Sequence, residues 1–260
     1  MDSEHFPHAN AGTAQPELHF RDFNFCNYNI NHDKLRWLLG DHDIVDGHRL
    51  ETDFDSYTVA DWTVTTTEAG GGAASEAVID MVNGVLLVTN DVADDDSDEL
   101  VWAVKTFNLK KGFPLYFEVR IKVSDVLQSD LWFGLVDDTA GYFGGGVQNG
   151  AYFLKVDGSA ALYGVTEDGD VAAAHSLGVS LANLTWIRLG IHWDGAGTVR
   201  FFVFTDSVPS QVCTAVHEVT TYIPDDAADL LAPGFGIRNG EAAAKSLWID
   251  YLKAVQYRVI

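Results

Sequence analysis

The chain has 260 residues, of which 47% are apolar and 21% charged, so it can bury a substantial core and is not globally disordered. Its 38 acidic and 16 basic residues give a net charge of −22. That balance argues against direct binding to nucleic acid or to an anionic membrane, because both need clustered Lys and Arg. Two interpretations remain open: self-repulsion that keeps the protein soluble, or a partner with a basic surface or a salty environment.

The N-terminal sequence and the cysteines bear on where the protein matures. No apolar run approaches the ~18 residues that span a bilayer, and MDSEHFPHANAG lacks the basic and apolar segments of a secretion signal. We therefore expect a protein that is made in a cytoplasm and is not secreted through a signal peptide. The two cysteines, Cys26 and Cys213, are too few for a disulfide framework and are predicted to be free thiols rather than one bridge.

Residues 1–50 form the first predicted unit, an extended arm. The stretch 1–17 has no periodicity, and HDKLRWLLG (32–40) has the pattern of a helix of about two turns. A helix this short needs a surface to pack on. Five aromatic residues of the arm are therefore candidates for docking on a partner or on the chain's own domain: Phe20, Phe23, Phe25, Tyr28 and Trp37.

Residues 51–260 form the second predicted unit and have a β pattern throughout. Asn83-Gly84 predicts a hairpin between VIDMV and VLLVTN, and DGAG predicts a hairpin between TWIRLGIHW and TVRFFVFTD. About twelve strand candidates follow one another with short turns and almost no helix. This spacing predicts an all-β, antiparallel sandwich or barrel, and the lack of a fixed repeat argues against a propeller or β-helix.

The strand FPLYFEVRIKVSD (113–125) offers a test of catalysis, because it carries a carboxylate on an ordered strand. Alternation places its apolar residues, Leu115 to Val123 at every second position, on one face. Glu118, Arg120 and Lys122 lie on the opposite face. The sequence therefore predicts a framework strand whose second face bears one acid beside two cations.

Three segments resemble the concanavalin A-like lectin/glucanase superfamily, which includes LamG-like domains. They are an F-E-x-R-x-K strand, a W-x-R-L-x-x-x-W-D-G hairpin and a closing I-D-Y-x-K strand, in that order over roughly residues 52–260. The resemblance implies a jelly roll of two large, curved antiparallel sheets, preceded here by the arm. The superfamily contains hydrolases, sugar-binding modules and structural domains, so the resemblance leaves the function open.

Retaining glucanases of this superfamily place E-x-D-x-x-E or E-x-D-x-x-x-E on one strand, because their chemistry needs two carboxyls about 5 Å apart. In this chain Glu118 is followed by Arg120 and Lys122 where further acids would stand. Such cations stabilise the ionised carboxylate, which makes it a poor proton donor. We therefore expect no catalytic residues and no cofactor, and we expect Glu118 to form an ion pair.

A narrower resemblance points to a role. GAYFLKVDGSAALYGVTEDGDV, followed by SLGVSLANLTWIRLGIHWDG, resembles domains of tailed-bacteriophage virion proteins, which often follow a short arm. It implies a non-enzymatic virion structural protein on the capsid surface, a decoration (cement) protein that forms a homotrimer. The implied partners are the major capsid protein or other virion subunits. The alternative is a carbohydrate-binding, lectin-like module for host or glycan recognition.

Clustered oxygen ligands make DDDSDE (94–99) a candidate Ca²⁺ site, with Asp94, Asp96 and Asp98 as its ligands. The run lacks EF-hand spacing, so a solvated turn is the competing interpretation. Asp137 and Asp138 could join such a site. The histidines have no zinc-site spacing, and the pair at positions 5 and 8 would need several copies around a symmetry axis.

The stretch AGYFGGGVQNGAY (140–152) is a glycine-rich loop that holds two adjacent aromatic residues and two amides. Loops of this kind are either binding loops or mobile tips. The candidates for glycan contact are Trp132 on the preceding strand and Tyr142, Phe143 and Asn149 in the loop. For each aromatic residue, packing inside the sandwich is the competing interpretation.

Overall fold

The computed structural model describes residues 47–81, 84–205 and 212–257, with the backbone alone at 205 and 212–216. Several predictions fall outside the described residues: the docking aromatics of the arm, the helix at 32–40, Cys26 and the side chain of Cys213. The described part contains a 3-10 turn at Val59–Asp61 and no helix long and apolar enough to cross a membrane.

Fifteen strands build the described part. They are β1 (Gly47–Thr52), β2 (Trp62–Thr67), β3 (Ser75–Ile79), β4 (Val85–Thr89), β5 (Ser97–Trp102), β6 (Leu115–Val123), β7 (Ser129–Val136), β8 (Gly150–Lys155), β9 (Ala161–Asp168), β10 (Val171–Ser180), β11 (Ile187–Trp193), β12 (Val199–Thr205), β13 (Val212–Val219), β14 (Ala232–Asn239) and β15 (Ser246–Tyr257).

The strands form two antiparallel sheets, as predicted. The eight-stranded sheet has the order β13-β12-β11-β6-β15-β4-β3, and β1 pairs with the C-terminal half of β15. The seven-stranded sheet has the order β10-β9-β8-β7-β14-β5-β2. Both predicted hairpins are confirmed, since β3 pairs with β4 and β11 pairs with β12. The first strand begins at Gly47, so the sandwich starts four residues before the predicted boundary at residue 51.

Alternation decides which side chains enter the space between the sheets. In β6, Phe117, Val119 and Ile121 point into the core, whereas Glu118 and Arg120 lie on the opposite face. We call the face of each sheet that points away from the other sheet its outer face. The core is closed by aromatic contacts between the sheets, such as that of Phe153 in β8 with Phe201 in β12, whose ring centroids are 5.3 Å apart.

Candidate functional site

A glycine-rich loop, residues 137–149 between β7 and β8, lies on the outer face of the seven-stranded sheet. Tyr142 and Phe143 of the loop pack against a second apolar cluster on that face, which includes Trp132 and Tyr152. The rings of Tyr142 and Tyr152 have centroids 5.3 Å apart, and the guanidinium of Arg238 lies 4.9 Å from the ring of Phe143. The loop therefore covers the sheet instead of extending from it.

Glu99 of β5 fixes this loop in place. Its Oε2 accepts hydrogen bonds from the backbone N–H of Phe143 (2.8 Å) and from Trp132 Nε1 (2.7 Å), and its Oε1 accepts one from Gly144 N–H (3.0 Å). Burial raises the pKa of Glu99 to about 7, although these hydrogen bonds act in the opposite direction. Gly141 has a φ of +83°, and a Cβ there would lie 2.4 Å from Glu99 Oε2, so the close approach needs glycine.

The structure brings the predicted glycan candidates together, but not as an open sugar platform. Trp132 is 0% exposed, so its ring offers no free face in this arrangement. Asn149 is committed to the loop: its Nδ2 donates to Asp137 Oδ2 (3.0 Å), and its Oδ1 accepts from Gly169 N–H (3.0 Å). Tyr142 and Phe143 remain partly exposed. They are the candidates that a ligand could reach.

Two further pairs of polar side chains lie on this face. Asp130 Oδ2 accepts hydrogen bonds from Arg238 Nε (2.8 Å) and Nη2 (2.6 Å), which is a compact ion pair between β7 and β14. Tyr152 donates its hydroxyl to Glu167 Oε2 (2.7 Å). Two predicted metal ligands, Asp137 and Asp138, accept backbone N–H groups within the loop instead of joining an acid cluster.

Glu118, the acid that tests for catalysis, lies in a dense polar cluster on the outer face of the eight-stranded sheet. It accepts the hydroxyls of Tyr116 and Tyr251, the second at 2.5 Å, and lies 3.6 Å from Arg188 Nη1. Glu118 is 6% exposed. The predicted ion pair is confirmed, with Arg188 as the partner. The two tyrosine hydroxyls and the guanidinium together hold the carboxylate in one position.

The same outer face gathers cations and aromatic rings. Arg120 and Lys122 lie over the ring of Trp186, and Arg188 lies over that of Phe204, each cation within about 5 Å of the ring centroid. The register places six of the twelve described Lys and Arg residues on this face: Arg49, Arg120, Lys122, Arg188, Arg200 and Lys253. Four of them are paired with acids of the same face: Glu51, Glu118, Asp250 and Glu218.

A third polar centre lies beside the β2 and β3 edges of the sheets. Carboxylate oxygens of Glu68, Asp91 and Asp96 all lie within 4.8 Å of one another. Of the predicted calcium ligands, only Asp96 belongs to this group, because Asp94 is exposed on the turn. Asp98 is fully buried, and burial together with the neighbouring Glu76 raises its pKa to about 9.

Sequence reasoning did not identify Glu99, Glu68 and Asp91. Glu99 is part of the acidic run that suggests a solvated turn, yet it belongs to β5 and is 1% exposed. Glu68 directly follows the threonine-rich strand β2, and Ala69 separates it from Gly70, Gly71 and Gly72. An acid two residues before a glycine triplet was the available signal, since such glycines allow the backbone to approach a charged group closely.

Comparison with known proteins gives a likeness of fold. No protein-family model matches the chain, and no curated protein matches it. A protein of unknown function from Shewanella oneidensis MR-1 superposes with a TM-score of 0.60 at 13% identity, over 88% of this chain and 95% of its own. Peanut lectin superposes with a TM-score of 0.54 at 10% identity, over 83% of this chain and 100% of its own.

Two further solved structures belong to an enzyme and to a phage. The endo-1,3-β-glucanase of Streptomyces sioyaensis gives a TM-score of 0.54 at 13% identity, over 84% of this chain and 99% of its own. The CBM2 module of the evolved Dit protein of Lactobacillus casei BL23 phage J-1 gives 0.52 at 11% identity, over 83% and 98%. At identities this low the likeness shows the fold alone, and the chain has the concanavalin A-like jelly-roll fold that lectins and glucanases share.

Proposed function

We propose that the chain is a non-enzymatic structural protein of a virus particle, a decoration protein on the capsid surface that attaches through residues 1–46. The observation that carries the proposal is the outer face of the eight-stranded sheet, which holds six of the twelve described cations, three of them over aromatic rings. In a chain of net charge −22, these cations reduce the repulsion that an acidic protein surface meets at this face. Aromatic residues and Arg are also the side chains that protein interfaces favour.

The position of the first strand connects this face with the arm. β1 pairs with β15 and carries Arg49 on the outer face, so the chain before Gly47 enters the sandwich at the basic sheet. A fully extended arm of 46 residues reaches at most about 165 Å. That reach is enough for its aromatic candidates (Phe20, Phe23, Phe25, Tyr28 and Trp37) to contact the major capsid protein or neighbouring virion subunits while the sandwich stays at the surface.

The proposal includes that the chain is not an enzyme. The contacts of two buried acids, Glu118 and Glu99, support this part of it. Glu118 is fixed by two tyrosine hydroxyls and Arg188. Glu99 lies beneath the glycine-rich loop and accepts three N–H groups. A glycosidase acid must reach the glycosidic oxygen of its substrate, and neither carboxyl is open to one in this arrangement.

The test is co-sedimentation of the full-length protein with particles of the virus that encodes it. We expect saturable binding that Phe23→Ala, Tyr28→Ala and Trp37→Ala together reduce at least about tenfold, since buried aromatic residues dominate interface energies. Tyr222→Ala is the control, because Tyr222 is an exposed aromatic residue of the sandwich at 46% exposure. Full occupancy by the triple variant would remove the arm from the proposal, and no sedimentation of the wild type would overturn it.

We also propose that the protein is a homotrimer, by analogy with virion decoration proteins. Sedimentation equilibrium of the purified chain measures its mass directly. A mass of three chains of 28.4 kDa agrees with the proposal, and a monomer at micromolar concentration contradicts it.

The lectin-like alternative places ligand binding on the outer face of the seven-stranded sheet. If the protein recognises a glycan, the partly exposed Phe143 and Tyr142 are the rings that a sugar could reach. A glycan array should then show specific binding that Phe143→Ala abolishes. Phe143→Ala is a better variant than one at Trp132, because Trp132 is fully buried and its loss would disturb the sheet.

A further inference from the structure

The acid cluster beside β2 and β3 has the geometry of a metal site, and it is independent of the proposed function. Glu68 directly follows β2, whereas Asp91 and Asp96 belong to the connection between β4 and β5. Their carboxylate oxygens lie within 4.8 Å of one another. Oxygens at 2.3–2.6 Å on opposite sides of one Ca²⁺ are separated by about 5 Å, so the three ligand atoms fit around a single ion.

Buried oxygens without hydrogen-bond donors provide a second observation. Within the described residues, Glu68 Oε2 and Asn90 Oδ1 are buried without a hydrogen-bond partner. Both atoms are acceptors. Glu68 Oε2 belongs to a carboxylate of the cluster, and Asn90 directly precedes Asp91. Buried carboxylates that face one another are costly unless a positive charge compensates them.

Asn90 directly precedes Asp91 at the start of the β4–β5 connection. Its Nδ2 donates to the backbone oxygen of Asp96 (2.9 Å) and to Asn239 Oδ1 (3.1 Å), so the amide is held against that connection. Asn90 is 2% exposed, and its Oδ1 has no hydrogen-bond partner among the described residues. An amide oxygen is a normal ligand of Ca²⁺, so Asn90 Oδ1 is a neutral oxygen in the connection that carries Asp91 and Asp96.

We propose that Glu68, Asp91 and Asp96 bind one Ca²⁺ ion, with the buried amide of Asn90 beside them. The donors are all oxygen, without the imidazole or thiolate that transition metals prefer, and this selects a hard cation. Ca²⁺ is favoured over Mg²⁺ because its coordination tolerates an irregular set of protein oxygens, whereas Mg²⁺ requires a near-ideal octahedron and keeps its water.

The ion would join two connections, β2–β3 and β4–β5, each of which passes from one sheet to the other. The backbone N–H of Ala69, after β2, donates to Asp96 Oδ1 at 2.6 Å. A Cβ on Gly72 would overlap the carboxylate of Asp91, so the backbone at Gly72 lies directly against that side chain. β2 ends the seven-stranded sheet and β3 ends the eight-stranded sheet. A bound Ca²⁺ would therefore hold the two sheets together at this edge.

The test is calorimetric titration of CaCl2 into the full-length protein after removal of divalent ions with EDTA, with the thermal midpoint measured in parallel. We expect one Ca²⁺ per chain, a higher midpoint with Ca²⁺ bound, and binding at least about tenfold tighter than that of Mg²⁺. Asp91→Asn and Glu68→Gln should each weaken Ca²⁺ binding about tenfold or more, because each removes one charged ligand.

Asp94→Asn is the matched control, since Asp94 is exposed and lies outside the group within the same connection. It removes an equal charge and should leave the affinity unchanged. Circular dichroism of each variant without metal establishes that it is folded. No binding by the wild type at about 5 mM Ca²⁺ would overturn the proposal, as would equal weakening by Asp94→Asn and Asp91→Asn, which would indicate diffuse attraction to the acidic surface.

Discussion

The imidazole rings of His175 and His217 lie 5.0 Å apart, centroid to centroid, and they join the edge strands of the two sheets. His175 belongs to β10, which ends the seven-stranded sheet, and His217 belongs to β13, which ends the eight-stranded sheet. His175 Nε2 is buried without a hydrogen-bond partner among the described residues. The contact therefore depends on at least one of the rings remaining neutral, because two imidazolium groups at this distance repel each other.

Acidification should weaken this edge of the sandwich. Burial and the nearby His217 lower the pKa of His175 below its ordinary value of 6.5. The unfolded chain then binds the proton more readily than the folded one, so the stabilising contribution is present above pH 6.5 and is lost as the pH falls through the lower folded pKa. We expect His175→Phe to reduce the loss of thermal midpoint between about pH 7.5 and pH 5.5.

His48→Gln is the control for this experiment, since His48 bonds Thr106 far from the β10–β13 edge. It should keep the wild-type pH dependence. An identical pH dependence in His175→Phe and the wild type would mean that the ring pair does not control acid stability.

Glu99 should control the glycine-rich loop. In Glu99→Gln one carboxylate oxygen becomes an NH2 group that cannot accept the N–H of Phe143 or Gly144, so we expect faster proteolysis within residues 141–146. The measurement is the cleavage rate under native conditions. Glu167→Gln is the control on the same face, since Glu167 bonds Tyr152 and not the loop. Equal cleavage rates in Glu99→Gln and the wild type would contradict the conclusion that Glu99 fixes the loop.

The carboxyl of Glu99 also predicts a pH effect of known sign. Burial raises its pKa from 4.5 to about 7, so the folded state holds the proton over a range in which the unfolded state has lost it. Stability from this group therefore declines as the pH rises from about 4.5 to about 7. Denaturant unfolding should show that the free energies of unfolding of wild type and Glu99→Gln differ by an amount that changes by at most about 3 kcal/mol across this pH range. A difference that stays constant with pH would refute the raised pKa of Glu99.

Replacement of Glu118 by alanine should lower the free energy of unfolding strongly. Glu118→Ala leaves Arg188, whose side chain is 8% exposed, without its carboxylate, and the expected loss in the free energy of unfolding is about 3–5 kcal/mol. Glu218→Ala on the same outer face is the control, because its pair with Arg200 is exposed at 41% on the acid side and should cost less than about 1 kcal/mol. Chemical denaturation measures both. Similar losses in the two variants would indicate that burial does not strengthen the cluster.

A single methyl group should disturb the contact between the sheets at Gly164. A Cβ there would lie 2.6 Å from the ring of Phe201, which is fully buried across the core. We expect Gly164→Ala to lower the free energy of unfolding by about 1–3 kcal/mol through overpacking. Gly71→Ala is the control, since nothing lies within 4 Å of a Cβ at that position. A neutral Gly164→Ala would mean that Phe201 can move aside.

Much of the fold could be predicted because the signals are local. Alternation in β6 and β11 assigns Phe117 and Leu189 to the core and Glu118 and Arg188 to the outer face, as the register confirms. The sequence pair Asn83-Gly84 predicts the β3–β4 hairpin, although β3 already ends at Ile79. Residues 47–50 of β1 fall within the predicted arm, because only the pairing along β15 makes this segment a strand.

The sites were harder to predict because they depend on distant parts of the chain. Alternation correctly places Trp132 away from the core, which predicts exposure, but the loop that folds back over the ring is fixed by Glu99, 33 residues earlier. The same holds for the acid cluster. Asp96 could be proposed from its acidic run. Glu68 is distant in the chain and is brought there by the pairing of β2 with β5, and the next residue, Ala69, donates its backbone N–H to the Asp96 side chain 27 residues later.

The pairing of Gly47 with Tyr257 has a mechanical consequence. Because β1 runs antiparallel to β15, both ends of the described chain leave from the same end of the sandwich. A pull on the arm against the far end of the sandwich loads the β1–β15 hydrogen bonds together, in shear. A pull on the arm against the C-terminal end opens them one at a time from Gly47. The attachment of the arm to the sandwich should therefore be strong or weak according to the direction of the force, and a single-molecule pulling experiment can compare the two directions in one protein.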